Sequence, residues 1–308
     1  MAGVKAAMRT LARGMVKLLC HILILPLFRV IEPFHHLRIS HLWTSRFGPL
    51  GFNTHLFLGN LAIHGPERNT TRLFIAGMPA NRTLLDLWRR RFTIIESRYL
   101  SAFMHYAGET LSETVYCRPL PTELVNYPAI DHGPVLRLNE DDHRRGGAVL
   151  ESMGLGPADW WVCFQARDPL YHQVRGTGGD SGPHRNCRIE NFMAAATEIT
   201  GRGGFAIRTG ATADRPLPAT EDSRLVDYTQ THRSDFGDIY LYANCRFSLL
   251  AGTGSIHVPP MFKRPVALVN MMPLLPTPIG SQSLFQPKLF RDRASGRLLT
   301  FADLERLR

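Results

Sequence analysis

Polar side chains follow three apolar segments in the second half of this 308-residue sequence, and their types suit the binding of an anion. Arg167 and Asp168 come shortly after "WWVCF", and Arg208 directly follows "FAI". The third segment, "FSLLA", is followed by glycines and small hydroxyl residues, namely Gly252, Thr253, Gly254 and Ser255. Parallel sheets bind ligands at the carboxyl ends of their strands. If the three segments are strands of one such sheet, these residues meet in one place.

The residue types at these strand ends indicate a phosphate ligand. A guanidinium group offers a planar fork of donors that matches phosphate oxygens. A turn that opens a helix adds backbone N–H groups and the positive end of the helix dipole, and Gly252 and Gly254 allow an anion to approach that backbone. The pattern therefore predicts a diphosphate site. A simple tight bend at the turn and a surface ion pair between Arg167 and Asp168 are the alternatives.

Strands that alternate with helices must position these groups. In the second half the predicted strands are "WWVCFQARD", "FAIRTG", "RLVDY", "RFSLLAGT" and a final "PVALVN". A helix over "SDFGDIYLYANC" is predicted to begin at Ser234 as N-cap, and capping accounts for Asp235 and Asp238 in its first turn. This alternation predicts an α/β fold with a parallel, doubly wound sheet.

The first half repeats the same alternation. Strands are predicted at "HHLRISHLW", "TRLFIAGM" and "FTIIES", with helices over residues 54–63 and "RTLLDLWRRRF". Residues 102–140 give mixed signals, and the helix in "EDDHRRGGAVLESMG" bridges the halves. Because 308 residues exceed the size of a typical single domain, we expect two domains, at residues 32–145 and 146–308, preceded by a separate segment at residues 1–31.

Residues 1–31 form a basic amphipathic pattern. Apolar residues recur at alternating steps of four and three from Val4 to Leu25, while Lys5, Arg9, Arg13 and Lys17 recur at steps of four on another face. We expect the helix to break at Pro26 and to be short for a membrane span. It suits a position on an anionic cytoplasmic membrane surface, and packing on its own domain is an equally weighted alternative.

Several other classes of protein are disfavoured by the sequence. Neither a P-loop nor GxGxxG follows the first strand, which argues against kinases and dinucleotide enzymes. None of the 13 histidines lies in a zinc motif, so we expect no metal and no cofactor. The five widely spaced cysteines favour a reducing compartment. The net charge of +10 is concentrated in residues 1–46, where seven cations accompany Glu32 alone, and this argues against a nucleic-acid partner.

Four stretches carry a family resemblance: "VCFQARDPLYH", "HRNCRIENFMAAATEITGRGGFAIRTG", "SDFGDIYLYANCRFSLLAGTGSIHVPPMF" and "PVALVNMMPL". They resemble a bacterial family of glycosyltransferases found among surface-polysaccharide genes, which is distantly similar to GT-B enzymes of the fucosyltransferase type. The resemblance covers nearly the whole second half, with a weaker match at "SRFGPLGFNTHLFL". It implies two Rossmann-like domains around a cleft, with the nucleotide-sugar donor held mainly by the second.

The resemblance also implies roles for individual residues. Arg167 resembles the arginine that fucosyltransferase-like enzymes place on the donor diphosphate. Arg208 resembles the arginine at the family's "IRMG" strand end, and residues 252–255 resemble its "GTTSG"-like turn. Three further residues fall on recurrent motif positions without an assigned role: Arg185, Asn186 and Asp235. Asp168 is a candidate base, although pairing with Arg167 accounts for it equally well.

Two departures from the family pattern bear on catalysis. Gln165 stands where the family has a histidine at the strand end. Pro49 stands where the family has a second histidine, in the loop of its first domain. We expect a metal-independent glycosyltransferase at the cytoplasmic face of the inner membrane. It would transfer a sugar from a nucleotide sugar to a surface polysaccharide, glycan or lipid-linked acceptor. A non-catalytic nucleotide-sugar or glycan-binding scaffold is the alternative, because the two histidines are missing.

Overall fold

The structure is a computed structural model that describes residues 2–122, 127–132, 136–170, 182–272, 280 and 282–307. Its strands are β1 (His36–His41), β2 (Thr70–Ala76), β3 (Thr93–Glu96), β4 (Trp161–Gln165), β5 (Phe205–Arg208), β6 (Leu225–Asp227), β7 (Phe247–Leu250), β8 (Val266–Met271), β9 (Ser283–Pro287), β10 (Phe290–Arg291) and β11 (Leu298–Leu299). Its α-helices are α1 (Ala2–Leu19), α2 (Leu25–Ile31), α3 (Phe47–His64), α4 (Arg82–Arg89), α5 (Arg98–Ser112), α6 (Tyr127–His132), α7 (Glu140–Ser152), α8 (Met193–Gly201), α9 (Tyr228–Thr231), α10 (Asp235–Asn244), α11 (Val258–Met261) and α12 (Phe301–Arg306).

Six parallel strands form the larger sheet, in the order β6-β5-β4-β7-β8-β9. The chain winds outward from β4 in one direction and then, from β7, in the other. This is the strand order of a dinucleotide-binding sheet, and its switch point, where such sheets bind ligands, lies between β4 and β7. The prediction of an α/β fold with a parallel sheet is confirmed.

The segment "PVALVN" forms β8, but it is not the last strand as predicted. Strand β9 pairs parallel to β8 and lies at the edge of the sheet, and a two-stranded antiparallel ribbon, β10 and β11, follows. The side chains of β9 alternate between half-buried and exposed. An edge strand of this kind needs few apolar residues, so the sequence gives it a weak signal.

The smaller sheet contains three parallel strands in the order β1-β2-β3. Helix α3 begins at Phe47, well before the predicted residue 54, because Pro49 lies in its first turn, where a missing N–H costs nothing. Helix α5 lies partly within the stretch that gave mixed signals. The side chain of Ser97 caps it by accepting a hydrogen bond from the Leu100 N–H at 3.2 Å.

One apolar core joins the two sheets. Leu84 and Trp88 of α4 belong to the same buried cluster as Phe236 and Tyr240 of α10 and Trp161 of β4. The predicted boundary between residues 145 and 146 falls inside α7, which packs against α10. The helices between the sheets therefore fix the position of one sheet relative to the other.

The N-terminal helix continues past Pro26, which corrects the predicted break. A wide π-helical turn, Cys20–Ile24, precedes it, and the Leu25 N–H bonds to the carbonyl five residues back, at Cys20. Pro26 then falls in the first turn of α2, where its missing N–H is tolerated. The helix over Thr10–Ile31 is long and apolar enough to cross a membrane, so the expectation that it is too short is also corrected.

This helix has two apolar faces. Cys20, Leu25 and Phe28 are buried, and Val16 and Ile24 pack with Cys20 and Leu25 against α5 and the smaller sheet. The stripe predicted from the sequence is exposed at five positions, Met8, Leu11, Met15, Leu18 and Ile22, whereas its last residue, Leu25, belongs to the buried face. The helix therefore packs on the fold while leaving an apolar stripe uncovered.

Two adjacent glycines in α7 test the packing between α7 and α10. A Cβ atom at Gly146 would lie 2.0 Å from the buried ring of Tyr240, whereas one at Gly147 meets nothing within 4 Å. We expect Gly146→Ala to lower the free energy of unfolding by about 1–3 kcal/mol through overpacking. The control Gly147→Ala should raise it by up to about 1 kcal/mol through helix propensity. Urea unfolding measures both, and equal effects would contradict this packing.

Candidate functional site

A cavity of about 270 Å³ opens at the carboxyl edge of the larger sheet. Its lining comes from the loops that follow β4, β5 and β7 and from the start of α10. The first half of the chain contributes residues 45–49 and Ala80, which follow β1 and β2. The cavity therefore lies at the switch point of the sheet and spans both halves of the chain.

Two helix starts meet at this cavity through their backbones. A Cβ atom at Gly254 would lie 2.9 Å from the Gly48 nitrogen, and one at Gly48 would lie 3.1 Å from the Gly254 Cα. A side chain at Gly254 would clash with the Gly48 backbone, and one at Gly48 would make a tight contact. The 18-residue helix α3 begins here with no acidic residue in its first turn, and the 3₁₀ helix Gly254–His257 begins beside it. Their N–H groups and dipoles favour an anion at this point.

The lining is rich in guanidinium groups. It contains four arginines, Arg46, Arg167, Arg185 and Arg233, and two carboxylates, Asp168 and Asp238. The side chain of Arg167 is buried at the end of β4, and its backbone carbonyl accepts a hydrogen bond from the Cys187 N–H at 3.0 Å. This bond holds the segment that carries Arg185 against the strand end. The excess of positive charge in a recessed site matches a phosphate ligand.

A network of neutral groups links the strand ends beneath the cavity. The buried Tyr242 hydroxyl lies 2.6 Å from Thr209 Oγ1 and donates a hydrogen bond to Gln165 Oε1 at 3.2 Å. The Thr253 hydroxyl donates to the same Gln165 oxygen at 3.3 Å. Gln165 thus ties β4, α10 and the turn after β7 together. Both positions that depart from the family pattern, Gln165 and Pro49, line the cavity.

Asp238 is a functional candidate that the sequence analysis explained as a helix cap. Its carboxylate is buried, lines the cavity and accepts a hydrogen bond from Arg233 Nη2 at 2.9 Å. Burial raises the pKa of this carboxyl to about 7, against the attraction of Arg233. The group therefore changes its charge near neutral pH. No sequence pattern indicates this burial, which arises from the packing of α10 in the core.

Three predicted residues lie outside this lining. Arg208 and Asn186 line an adjoining cavity of about 250 Å³, which shares Arg167 and Asp168 with the first. Arg208 is buried, and its Nη1 donates to Asp227 Oδ2 at 3.1 Å and to the Arg215 carbonyl at 2.6 Å. Its charge is therefore partly neutralised by a neighbour, which the strand-end pattern did not foresee.

Asp235 connects the halves of the chain. Its Oδ2 accepts a hydrogen bond from the Arg82 N–H at 2.7 Å, at the start of α4, and its carbonyl accepts one from Asn81 Nδ2 at 2.9 Å. It lines neither cavity. Ser234 caps α10 as predicted, by accepting a hydrogen bond from the Gly237 N–H at 3.0 Å.

The structure brings together most of the predicted site residues. Those that line the first cavity are Arg167, Asp168, Arg185, Gly252, Thr253, Gly254 and Ser255. Among the described ranges, no group of three or more His, Cys, Asp or Glu side chains is arranged to hold a metal ion. Metal-independent chemistry remains a prediction.

Two histidines have rings that are shielded from solvent by their neighbours. His257 follows the glycine turn and stacks on Phe52 of α3, with ring centroids 4.1 Å apart. His55 of α3 is buried, whereas His257 is half-buried. Desolvation lowers the pKa of His55 to about 4 and that of His257 to about 3, and each is lowered further by a nearby cationic or titratable group. Both rings are therefore neutral at pH 7.

Comparison with solved structures identifies the fold. The chain is similar to a glycosyltransferase family 9 protein from Veillonella parvula, with a TM-score of 0.53 and 11% identity over 82% of this chain and 86% of that one. It is also similar to the ADP-heptose LPS heptosyltransferase II of E. coli, with a TM-score of 0.52 and 14% identity over 83% and 92%. The fold matches that of GT-B glycosyltransferases. At these identities the likeness concerns the fold alone.

Sequence comparison adds no family to this result. No family model matches the chain, and no curated protein matches it in sequence. The fold is the one expected from the general class that the sequence resembles. The fucosyltransferase-like type and the association with surface-polysaccharide genes remain predictions.

The desolvated rings of His55 and His257 predict how stability depends on pH. In the unfolded chain each ring titrates near its ordinary pKa of about 6.5, so the unfolded state gains protons first and stability falls as pH drops below that value. For His257 the loss is about 1 kcal/mol at pH 5.5. We expect the difference in free energy of unfolding between the wild type and His257→Gln to shrink by this amount from pH 7.5 to pH 5.5. Parallel pH curves for the two proteins would contradict a neutral His257.

Proposed function

We propose that this chain is a glycosyltransferase that uses a nucleoside diphosphate sugar as its donor. The observation that carries the proposal is the convergence of arginines and two helix starts on one cavity at the switch point of a GT-B-type fold. The two solved structures that it resembles are glycosyltransferases, one of which is named for ADP-heptose. The base, the sugar and the acceptor of this chain are not assigned by that likeness.

In the proposed reaction the diphosphate lies against Arg167, Arg185 and the turn at residues 252–255. The bond between the sugar C1 and the β-phosphate oxygen breaks, and the electron pair leaves with the nucleoside diphosphate. The guanidinium groups and backbone N–H donors stabilise this developing charge, and each donor lost is expected to cost about 2–4 kcal/mol. Arg208 and Asn186 extend the same binding surface into the adjoining cavity.

An acceptor hydroxyl supplies the new bond to C1 and must lose its proton. We place this proton on Asp238, because its carboxylate faces the cavity and titrates near neutral pH, as a general base requires. Asp168, the candidate from the sequence, lines the same cavity, but its Oδ1 accepts a hydrogen bond from the Leu170 N–H at 3.0 Å. In this scheme Asp168 positions the loop that carries Arg167.

A non-catalytic nucleotide-sugar or glycan-binding protein is the second candidate. It is favoured by the presence of Gln165 and Pro49 in the cavity lining, where the resembling family has histidines. The Gln165 oxygen accepts hydrogen bonds from Tyr242 and Thr253, so this side chain has a structural role in the cavity floor. Release of sugar from a bound nucleotide sugar separates the enzyme from the binding protein.

Residues 1–31 are proposed to hold the protein on the cytoplasmic face of an anionic membrane. The exposed stripe from Met8 to Ile22 would enter the acyl boundary, while Arg13 and Lys17 remain near lipid headgroups. Because the opposite face of the helix packs on α5 and the smaller sheet, the contact we propose is peripheral.

Nucleotide binding tests the site directly. Thermal-shift measurements with GDP, UDP, CDP and TDP should show stabilisation by at least one of them. We expect Arg167→Ala to abolish that shift, because a buried cation at the strand end is lost. The control is Arg202→Ala, which removes an exposed arginine paired with Glu198 at the end of α8. Equal shifts in both variants, or none in the wild type, would contradict the proposed donor site.

The pH dependence of binding tests Asp238. Its carboxylate loses its negative charge as pH falls through about 7, so the wild type should bind the same nucleotide more tightly at pH 6 than at pH 8. We expect the titration of Asp238 to change the Kd of the wild type by about fivefold between these two pH values. In Asp238→Asn this contribution to the pH dependence should be absent. With a donor that turns over, Asp238→Asn should slow transfer by at least about 100-fold. Matching pH profiles and rates for the two proteins would rule out this base.

A further inference from the structure

Four exposed apolar side chains lie at the carboxyl edge of the smaller sheet, and we call them the edge patch. Trp43 follows β1, Met78 follows β2, and Tyr99 and Leu100 follow β3, so the parallel strands deliver all of them to one edge. Their exposed fractions are 51% for Trp43, 82% for Met78, 71% for Tyr99 and 43% for Leu100. Large apolar groups clustered at this level of exposure mark an interaction surface.

The loops that carry the edge patch contact one another. The Ala80 N–H bonds to the Thr44 carbonyl at 2.7 Å, which joins the loop after β1 to the loop after β2. The His41 ring lies 2.8 Å from Ser101 Oγ, which joins β1 to the first turn of α5. A Cβ atom at Gly77 would lie 2.8 Å from Ser101 Oγ. The patch is therefore built on a single packed set of loops.

The same loops line the cavity. Ser45 and Arg46 follow Trp43 within three residues, and Ala80 follows Met78 by two, and all three belong to the cavity lining. The edge patch thus borders the cavity on the side contributed by the first half of the chain. Whatever covers the patch also faces the entrance to the proposed donor site.

The patch is connected through α5 to the packed face of the N-terminal helix. Tyr99 and Leu100 lie in the first turn of α5, and Phe103, one turn later, packs on the same buried cluster as Val16 and Ile24 of the N-terminal helix. The charges next to the patch are positive. The Arg98 guanidinium lies 4.6 Å from the centre of the Tyr99 ring, and Arg46 is exposed.

The acidic group nearest in sequence to the patch is neutralised. Glu96 accepts hydrogen bonds from Arg82 at 2.7 and 2.8 Å and also pairs with Arg89. A tryptophan, a tyrosine and cations beside aliphatic side chains match the interface of an anionic bilayer. This combination favours a lipid surface over a soluble protein partner.

We propose that the edge patch rests on an anionic bilayer together with the N-terminal helix, so that the cavity opens at the membrane surface. Resting on the proposed function, this placement assigns the acceptor to the lipid-linked class, because its hydroxyl then reaches the cavity while its lipid stays in the bilayer. The first half of the chain contributes the acceptor side of the site through the loops after β1 and β2.

Tryptophan fluorescence tests the bilayer contact without any sugar donor. Trp43 is half exposed, whereas Trp88 and Trp161 are buried. Vesicles that contain brominated phosphatidylglycerol should quench the full-length protein, because bromine quenches a tryptophan at the bilayer surface. In Trp43→Phe this quenching should be lost while sedimentation with the vesicles persists.

The matched control is Trp160→Phe, which removes a tryptophan that is covered by Arg246. Trp160 directly precedes β4, at the end of that strand away from the cavity. This variant should leave the quenching unchanged. The double variant Met78→Ser and Tyr99→Ser should weaken vesicle binding by about tenfold, as expected for loss of two partly buried apolar groups. Quenching that survives in Trp43→Phe, or a full-length protein that does not bind these vesicles, would overturn the proposed surface.

A second arm tests the acceptor class. With a nucleotide sugar that binds, the transferred sugar should appear in the organic extract of a reaction that contains bacterial lipid-linked oligosaccharide. Transfer only to water-soluble glycan would overturn the acceptor assignment. Absence of any turnover, with vesicle quenching intact, would contradict the proposed function and the acceptor assignment with it, while the surface itself stands.

Discussion

The close backbone contact between Gly48 and Gly254 is the constraint on which the rest of the site depends. A methyl group at Gly254 would lie 2.9 Å from the Gly48 nitrogen, so a side chain at Gly254 would force the two backbones apart, and one at Gly48 would crowd the same contact. It places the first turn of α3 against the turn after β7. The cavity therefore has walls from both halves of the chain, and the N–H groups of two helix starts share one ligand position.

Charge within the cavity follows from this arrangement. The helix starts already supply positive potential, and the lining adds four arginines against two carboxylates. One of those carboxylates, Asp238, is held near its point of titration by burial, so at neutral pH it offsets the cations only in part. In the proposed function, such a site would attract a doubly charged phosphate ligand and retain a group that can accept a proton.

Much of the larger sheet could be predicted from the sequence, because its buried strands are short apolar runs that alternate with helices. The convergence of Arg167 with residues 252–255 followed from the rule that parallel strand ends meet at one edge. Arg208 shows the limit of that rule. It lies at the end of β5 as predicted, but only the fold reveals that Asp227 at the end of β6 pairs with it.

Other features depended on contacts that a linear pattern does not contain. The sequence shows Asp238 only as an acidic residue in the first turn of a helix, which capping explains. Its burial arises from packing between α10 and the rest of the core. The continuation of the N-terminal helix through Pro26 depends on a π-helical turn that shifts the hydrogen-bond pattern before the proline. Sequence periodicity assigned one apolar face to this helix, whereas the structure uses a second face for packing.

The continuous core has a consequence for how the site binds its ligand. Interfaces between domains that move freely are small and polar, whereas here Trp88 and Tyr240 belong to one buried cluster that spans both sheets. The cavity walls are therefore held in place by packing rather than assembled when a ligand arrives. A site fixed in this way pays little ordering entropy on binding and aims its donors before charge develops, which is the condition for electrostatic stabilisation of a leaving diphosphate.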